Sequence, residues 1–330
     1  MKAPTYWKRN QGGLISNLLS PIGWLYGVGA EMNQSAATPI QAPAPVICIG
    51  NAVAGGAGKT PVALDIGKRL LSAGVNAHYL SRGYGGSERG PHPVDVASDS
   101  AQRVGDEPLL LARVALTWIA KNRVKGAIAM VEAGAKTIIM DDGLQNPSLL
   151  KDLSLCVIDG TYGIGNGRVM PAGPLREEFE YSLQKSNAVV ILGLDQAGIA
   201  EQIKRITPDM IIIKAQIKAE PTDLDFTNQP VHAFAGIAQP EKFFITLNEL
   251  GCTLAKTTAF TDHHAYTDAE VSELIEAAQA DKALLLTTEK DYVRLDTKWQ
   301  SAVKPLGIRL EWEDEAPLTA LLEPIIRFAS

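Results

Sequence analysis

The run VICIGNAVAGGAGKTP, residues 46–61, constrains the fold more than any other stretch: an apolar strand enters a glycine-rich loop that ends in Gly-Lys-Thr. Such a strand–loop–helix passage belongs in a parallel α/β sheet, where the helix packs back on the sheet and the loop lies at the strand's carboxyl end. Its chemistry is that of phosphate binding. Gly55, Gly56 and Gly58 let backbone N–H groups close around phosphate oxygens, Lys59 reaches the β/γ charges, and Thr60 offers a hydroxyl to Mg²⁺. Pro61 suits a helix's first turn, which needs no N–H. Val53, Ala54 and Ala57 complete the loop, with Val53 standing where the strict motif has glycine. Residues 53–60 are therefore expected to bind a nucleoside triphosphate, although kinases, GTPases, motor ATPases and nucleotide-gated switches all share such a loop.

The rest of the chain carries the same alternation. After a Pro- and Ala-rich linker at 32–45, short apolar runs predict strands at 46–50, 77–81, 137–141, 154–158, 187–192 and 209–214. Helices are expected at 61–73, 107–120 and 125–134; in the first, Val62, Ile66, Leu70 and Leu71 recur at helical spacing. A second linker at 219–230 precedes strands at 231–238, 283–288 and 306–312 and a helix at 240–251. The expected architecture is an N-terminal apolar segment (1–35), a P-loop NTPase-type, doubly wound, mostly parallel α/β core domain (36–220), and a smaller C-terminal α/β domain (221–330) closing over the cleft.

At 330 residues with a net charge of −6 and no basic stripe, nothing points to nucleic acid as a partner. Cys48, Cys156 and Cys252 are scattered and read as reduced core residues, not as a disulfide framework or zinc site. The stretch GGLISNLLSPIGWLYGVGA, 12–30, is free of charge up to Glu31. Pro21 and its polar residues make it a poor span, while Trp7, Trp24 and Tyr26 suit the headgroup level, so residues 1–32 are expected to lie on a membrane surface. The competing reading is a helix packed on the protein itself.

Several polar runs carry candidate chemistry. Asp141 and Asp142, at the end of a predicted buried strand, are placed to hold Mg²⁺ beside the loop, although Asp-Asp-Gly is also good turn chemistry; Gln145 lies in the same turn. Phosphoryl transfer to an alcohol needs a proton acceptor, for which Asp106 and Glu107 are candidates, and Asp106 equally suits a helix cap. Arg82 is a possible phosphate contact, and the long loop 163–178 carries Arg168, Arg176 and Glu177. His263 and His264 adjoin Asp262 without Cys or His partners at zinc spacing. The run TTEKDYVRL, 287–295, fails the guanine-reading pattern and leaves Lys290 and Arg294 as possible contacts for an anion.

Taken as an ordered set, GNAVAGGAGKTP, LSRGYGG, VGDEP, MDDGLQ, GPLRE, FAGIAQPEKFF, DHHAYT and TEKD resemble the tetraacyldisaccharide 4′-kinase family, from the N-terminal apolar segment to about residue 295. The resemblance implies transfer of the γ-phosphate of ATP, with Mg²⁺, to the 4′-hydroxyl of a tetraacylated glucosamine disaccharide 1-phosphate, forming lipid IV-A in lipid A biosynthesis. It also implies a place at the cytoplasmic face of the bacterial inner membrane, peripheral or monotopic. Carried over by position, it implies that Lys59 and Thr60 serve nucleotide and metal and that Asp141, Asp142 and Gln145 surround the metal. It further implies that Asp106 is the base with His263 as its partner from the other domain, and that Arg176 and Glu177 line the site. The reading that competes is a membrane-associated nucleotide-gated ATPase or scaffold without a lipid acceptor.

Overall fold

In the computed structural model, which describes residues 4–9, 11–222, 226 and 230–329, the buried apolar runs are strands. In chain order they are β1 Val46–Gly50, β2 Ala77–Ser81, β3 His92–Pro93, β4 Thr117–Ile119, β5 Thr137–Asp141, β6 Leu153–Asp159, β7 Ala188–Leu192 and β8 Ile211–Ala219. These are followed by β9 Pro230–Ala235, β10 Thr253–Ala259, β11 Leu284–Thr288, β12 Lys304–Leu306 and β13 Ile308–Trp312. Among the described residues they form a nine-stranded sheet, β13-β8-β7-β6-β1-β5-β2-β4-β3, and a four-stranded sheet, β10-β9-β11-β12. The larger sheet is parallel except at its two edges, where β13 and β3 run antiparallel to their neighbours. Residues 223–225 and 227–229 of the expected linker, and 1–3 and 10 of the N-terminal segment, lie outside the described residues.

Strands β1, β2, β5 and β7 are buried along their whole length, as continuous apolar runs covered on both faces must be. One face, with Val46, Cys48, Met140 and Ile191, packs into one core; the other, with Ile47, Ile49, Ile139 and Val190, faces the helix α2, Lys59–Ser72, through Val62, Ile66 and Leu70. The four-stranded sheet has its own cores around Val231, Ala233 and Leu286 on one side and Phe234, Leu285 and Val303 on the other. All three cysteines are buried and unpaired.

Two features depart from the expected layout. The stretch 107–120 is a short helix, Asp106–Leu111, followed by β4, because Thr117 to Ile119 pair in register with Tyr79 to Ser81 and their burial outweighs local helix propensity. The chain also does not remain in the smaller unit after residue 221. β13 pairs with β8, Ile308 opposite Ala219, and the helix Ala316–Ala329 buries Leu318, Leu322 and Ile325 against the larger sheet. The smaller unit thus spans roughly β9 to β12, with chain crossings on both sides.

The structure overturns the expected placement at the cytoplasmic face of an inner membrane. No helix among the described residues is long and apolar enough to cross a membrane. The apolar stretch forms helix α1, Gly13–Ser35, which is a docked element of the folded chain. Ser16 is fully buried and donates to the Ala172 carbonyl at 2.8 Å, Arg168 bonds Ser20 and Asn17, and Trp7 Nε1 donates to the Pro171 carbonyl at 3.0 Å. The polar residues that make this stretch a poor span are the ones that fasten it to the loop 166–172.

Candidate active site

The loop after β1 is held open from within. Asn51, fully buried, donates from its amide to the Val53 carbonyl at 2.7 Å and the Gly55 carbonyl at 3.3 Å, and its Oδ1 accepts from Lys59 Nζ at 3.2 Å. From outside, the loop is zipped to the stretch 174–176: Ala54 N donates to Pro174 O at 2.7 Å and Arg176 N to Ala52 O at 2.9 Å. Val53, nearly buried, bridges to Leu175. That contact is why an apolar residue stands where the strict motif has glycine. Gly55 and Gly56 are exposed at the tip, Ala57 is buried beneath, and Thr60 is half-buried in the first turn of α2.

Gly58, which leads into α2, has φ +82° and lies where an added Cβ would come within 2.4 Å of Leu192 Cδ1. Gly58→Ala is therefore expected to destabilise the protein by about 1–2 kcal/mol from the left-handed backbone alone, read as a lowered Tm in thermal denaturation. An unchanged Tm would show that the loop relaxes freely.

The paired aspartates at the end of β5 have opposite surroundings. Asp141 is almost fully buried, and its Oδ1 has no hydrogen-bond partner. Burial, reinforced by the charge of Glu107, pushes its carboxyl up to about 7. Asp142 is also pushed up by burial, but Lys59 at 3.6 Å and Arg176 at 2.8 and 3.2 Å outweigh this and hold it below the usual carboxylate range. Gln145 donates from Nε2 to the Asn51 carbonyl and to Glu177, both at 3.0 Å, and accepts from Arg176 at 3.3 Å. Glu177 is fully buried. It accepts from Gln145, Ser182, Gln34 and Lys185.

The third group comes from both units. Asp106, the first residue of its helix, keeps its Oδ1 for the Glu107 N–H at 3.1 Å. Its Oδ2 lies 3.1 Å from His263 Nδ1, 3.8 Å from Lys290 Nζ and in contact with Arg294. The structure thus brings Asp106 and His263 together across the two units, with His263 held at φ +57° in its loop. His264 turns away to stack on Phe260 and bond Glu270 at 3.0 Å.

Sequence reasoning missed Asn51 and Lys185 and left Arg294 as a general anion contact. Asn51 had a signal, since it directly precedes the loop; Arg294 had none, because Asp106 lies 188 positions away, and Lys185, eight residues from Glu177, stands in no recognisable motif.

A phosphate-type loop, a pair of carboxylates of which Asp141 is buried, and a carboxylate–histidine contact from a second unit together define the class, a phosphotransferase of the kinase type. The family model described as "Tetraacyldisaccharide-1-P 4'-kinase" matches residues 15–327. A tetraacyldisaccharide 4′-kinase of Paramagnetospirillum magneticum is 45% identical over 325 residues, covering 98% of this chain and 99% of that one. Another, from Rhodospirillum centenum, is 45% identical over 330 residues, covering 99% and 97%. The chain belongs to the tetraacyldisaccharide 4′-kinase family. Its fold resembles that of the Aquifex aeolicus LpxK crystallised with ATP, with a TM-score of 0.75 at 24% identity, over 95% of this chain and 100% of that one.

Proposed function

We propose that this protein transfers the γ-phosphoryl group of ATP to the 4′-hydroxyl of a tetraacylated glucosamine disaccharide 1-phosphate, the lipid A precursor, yielding lipid IV-A. One observation carries the assignment to these residues. The buried Asp141 carboxylate feels the charges of Glu107, Lys59, Asp142 and Lys290, so loop, aspartate pair and second unit converge on one place. We read the larger unit as P-loop NTPase-type on the strength of the β1–loop–α2 passage, with backbone N–H groups of 53–58 cradling phosphate.

The residues present suit a Mg²⁺ ion. The orphaned Oδ1 of Asp141 is a buried acceptor without a donor, and such an atom is satisfied by a cation. Asp141 with the Thr60 hydroxyl would hold the ion, which supplies charge neutralisation at the phosphoryl oxygens. Asp142, engaged by Lys59 and Arg176, and Gln145, engaged by Asn51 and Glu177, would orient that pair. Lys59 presents a point charge to the transferring group. Asp106 accepts the hydroxyl proton, with His263 beside it, and positioning and charge stabilisation supply most of the acceleration.

Detergent-solubilised enzyme incubated with γ-labelled ATP and the disaccharide lipid is expected to place label on the lipid. Label found only in free phosphate would overturn the reading. Asp106→Asn is expected to lower kcat by about 10²–10⁴-fold while ATP binding by equilibrium titration stays near wild type.

A further inference from the structure

We infer that Arg294 is a positioning residue for the base: it occupies Oδ2 of Asp106 and leaves Oδ1 as the atom that receives the hydroxyl proton. This rests on the reading of Asp106 as the base. In the step, the acceptor O–H proton passes to Oδ1, the alcohol oxygen bonds the γ-phosphorus, and the bond from phosphorus to the ADP oxygen breaks with its electrons going to ADP.

Arg294 belongs to the run 287–295, which the nucleotide site leaves unexplained. Its guanidinium is almost fully buried, and each nitrogen has work. Nε donates to Asp106 Oδ2 at 2.9 Å and Nη2 bonds the same oxygen, while Nη1 donates to Asp291 Oδ1 and the Gly236 carbonyl, both at 2.7 Å. Asp291 is in turn fixed. It is fully buried and also accepts from Gly236 N at 3.0 Å, Tyr266 OH at 2.9 Å and Thr288 Oγ1 at 2.6 Å. Gly236 leaves room for this: an added Cβ would sit 2.9 Å from Tyr266 OH and 3.1 Å from Asp291 Oδ1. A side chain moored this firmly in the smaller unit, yet bonded to a carboxylate of the larger one, fixes that carboxylate's rotation. With Arg294 and His263 both on Oδ2, the hydrogen bond at Oδ1 among the described residues is a single backbone N–H, and a lone pair there remains for a proton.

The charges around Asp106 come from three elements. His263, with Asp262 3.8 Å from its Nε2, approaches from the loop after β10; Lys290 and Arg294 approach from the segment after β11. On its own helix Glu107 is paired with Lys290 at 3.2 Å. Burial pushes the Asp106 carboxyl up, but the His263 hydrogen bond and then the charges of Lys290 and Arg294 outweigh it, holding the group well below the usual carboxylate range. A base must be ionised to accept a proton, so the acid limb of kcat follows this group, and removing a cation moves the limb to higher pH.

The test is the pH profile of kcat, with KM for ATP, for wild type, Arg294→Gln, Arg294→Lys and Asp106→Asn. Arg294→Gln is expected to lower kcat at pH 7 by about 10–100-fold, leave KM for ATP within about threefold, and move the acid limb up by about one pH unit or more. Arg294→Lys restores the charge without the fork. It should return the limb to its wild-type position while kcat stays about tenfold low. Wild-type kcat and profile in Arg294→Gln would overturn the inference. If that variant fails to fold, Arg294→Lys decides alone, and wild-type kcat there overturns it equally. Inactive Asp106→Asn beside an unaffected Arg294→Gln removes only the role of Arg294. Active Asp106→Asn removes the base itself, and the role of Arg294 with it.

Discussion

Lys59→Ala is expected to lower kcat about 10³-fold, the largest single loss in the proposed donor site. The side chain is an ammonium only 11% exposed, held by Asn51 Oδ1 at 3.2 Å and lying 3.6 Å from Asp142. A charge fixed before the reaction and partly shielded from water acts on the transferring phosphoryl far more strongly than a solvated one, and it needs no reorganisation in the transition state. Its removal also leaves Asp142 with Arg176 as its remaining near cation, so the carboxylate repels incoming phosphate more. Steady-state kinetics with ATP varied at saturating lipid would measure the loss. On the proposed reading, backbone N–H groups are left to cradle the nucleotide, so KM for ATP should rise less than kcat falls. Turnover within tenfold of wild type would show that Lys59 does not face the transferring group.

The parts of this fold that were legible are those where one physical demand dominates. β1, β2 and β5 have the expected ends because a parallel strand buried on both faces has to be a continuous apolar run. Residues at the carboxyl ends of such strands, Lys59 beyond β1 and Asp141 at the end of β5, follow from topology almost automatically. β10, TLAKTTA, lies at a sheet edge with most of its side chains exposed, so no apolar pattern marks it. β4 was hidden inside a helix-like stretch because its stability comes from pairing with β2. The return of β13 to β8 is a non-local register, and nothing in Ile308–Trp312 names its partner. Side-chain roles follow the same rule. Asp106 and His263 could be paired only through the family resemblance, and Arg294 reaches across 188 positions to a carboxylate that its neighbours in sequence do not indicate. In the N-terminal segment, Ser16, Ser20 and Asn17, which composition marks only as interruptions of an apolar stretch, are the fastenings that dock α1, while Leu14, Leu18, Trp24 and Leu25 stay exposed.

Glu177→Ala is expected to cost about 3–5 kcal/mol of stability, because it removes one partner of a buried ion pair and leaves the other uncompensated. Lys185 Nζ lies 2.6 Å from Glu177 Oε2 and 2.6 Å from Gln34 Oε1, with the Tyr181 ring 4.4 Å away. Glu177 also accepts from Gln34 at 2.8 Å, Ser182 at 2.8 Å and Gln145 at 3.0 Å, so a single carboxylate joins the end of α1, the helix Phe179–Gln184 and the turn after β5. At roughly 2–4 °C per kcal/mol, Tm should fall by about 10 °C. The double variant Glu177→Leu with Lys185→Met removes both charges and should melt closer to wild type than the single one, since no ion is left stranded. The pH dependence has a definite sign. Burial pushes the Glu177 carboxyl up, but the charge and hydrogen bond of Lys185, with Gln34 and Ser182, hold it below its ordinary value. A depressed folded value means the stabilisation is complete above the unfolded pKa of about 4.3 and is lost as pH falls through the folded one. The Tm gap between wild type and Glu177→Ala should therefore be constant from pH 6 to 8 on this account and close only on the acid side, below about pH 4. A gap that opened with acid instead, or a double variant melting no higher than the single one, would mean that packing around residue 177, and not its charge, ties α1 to the turn that carries Gln145.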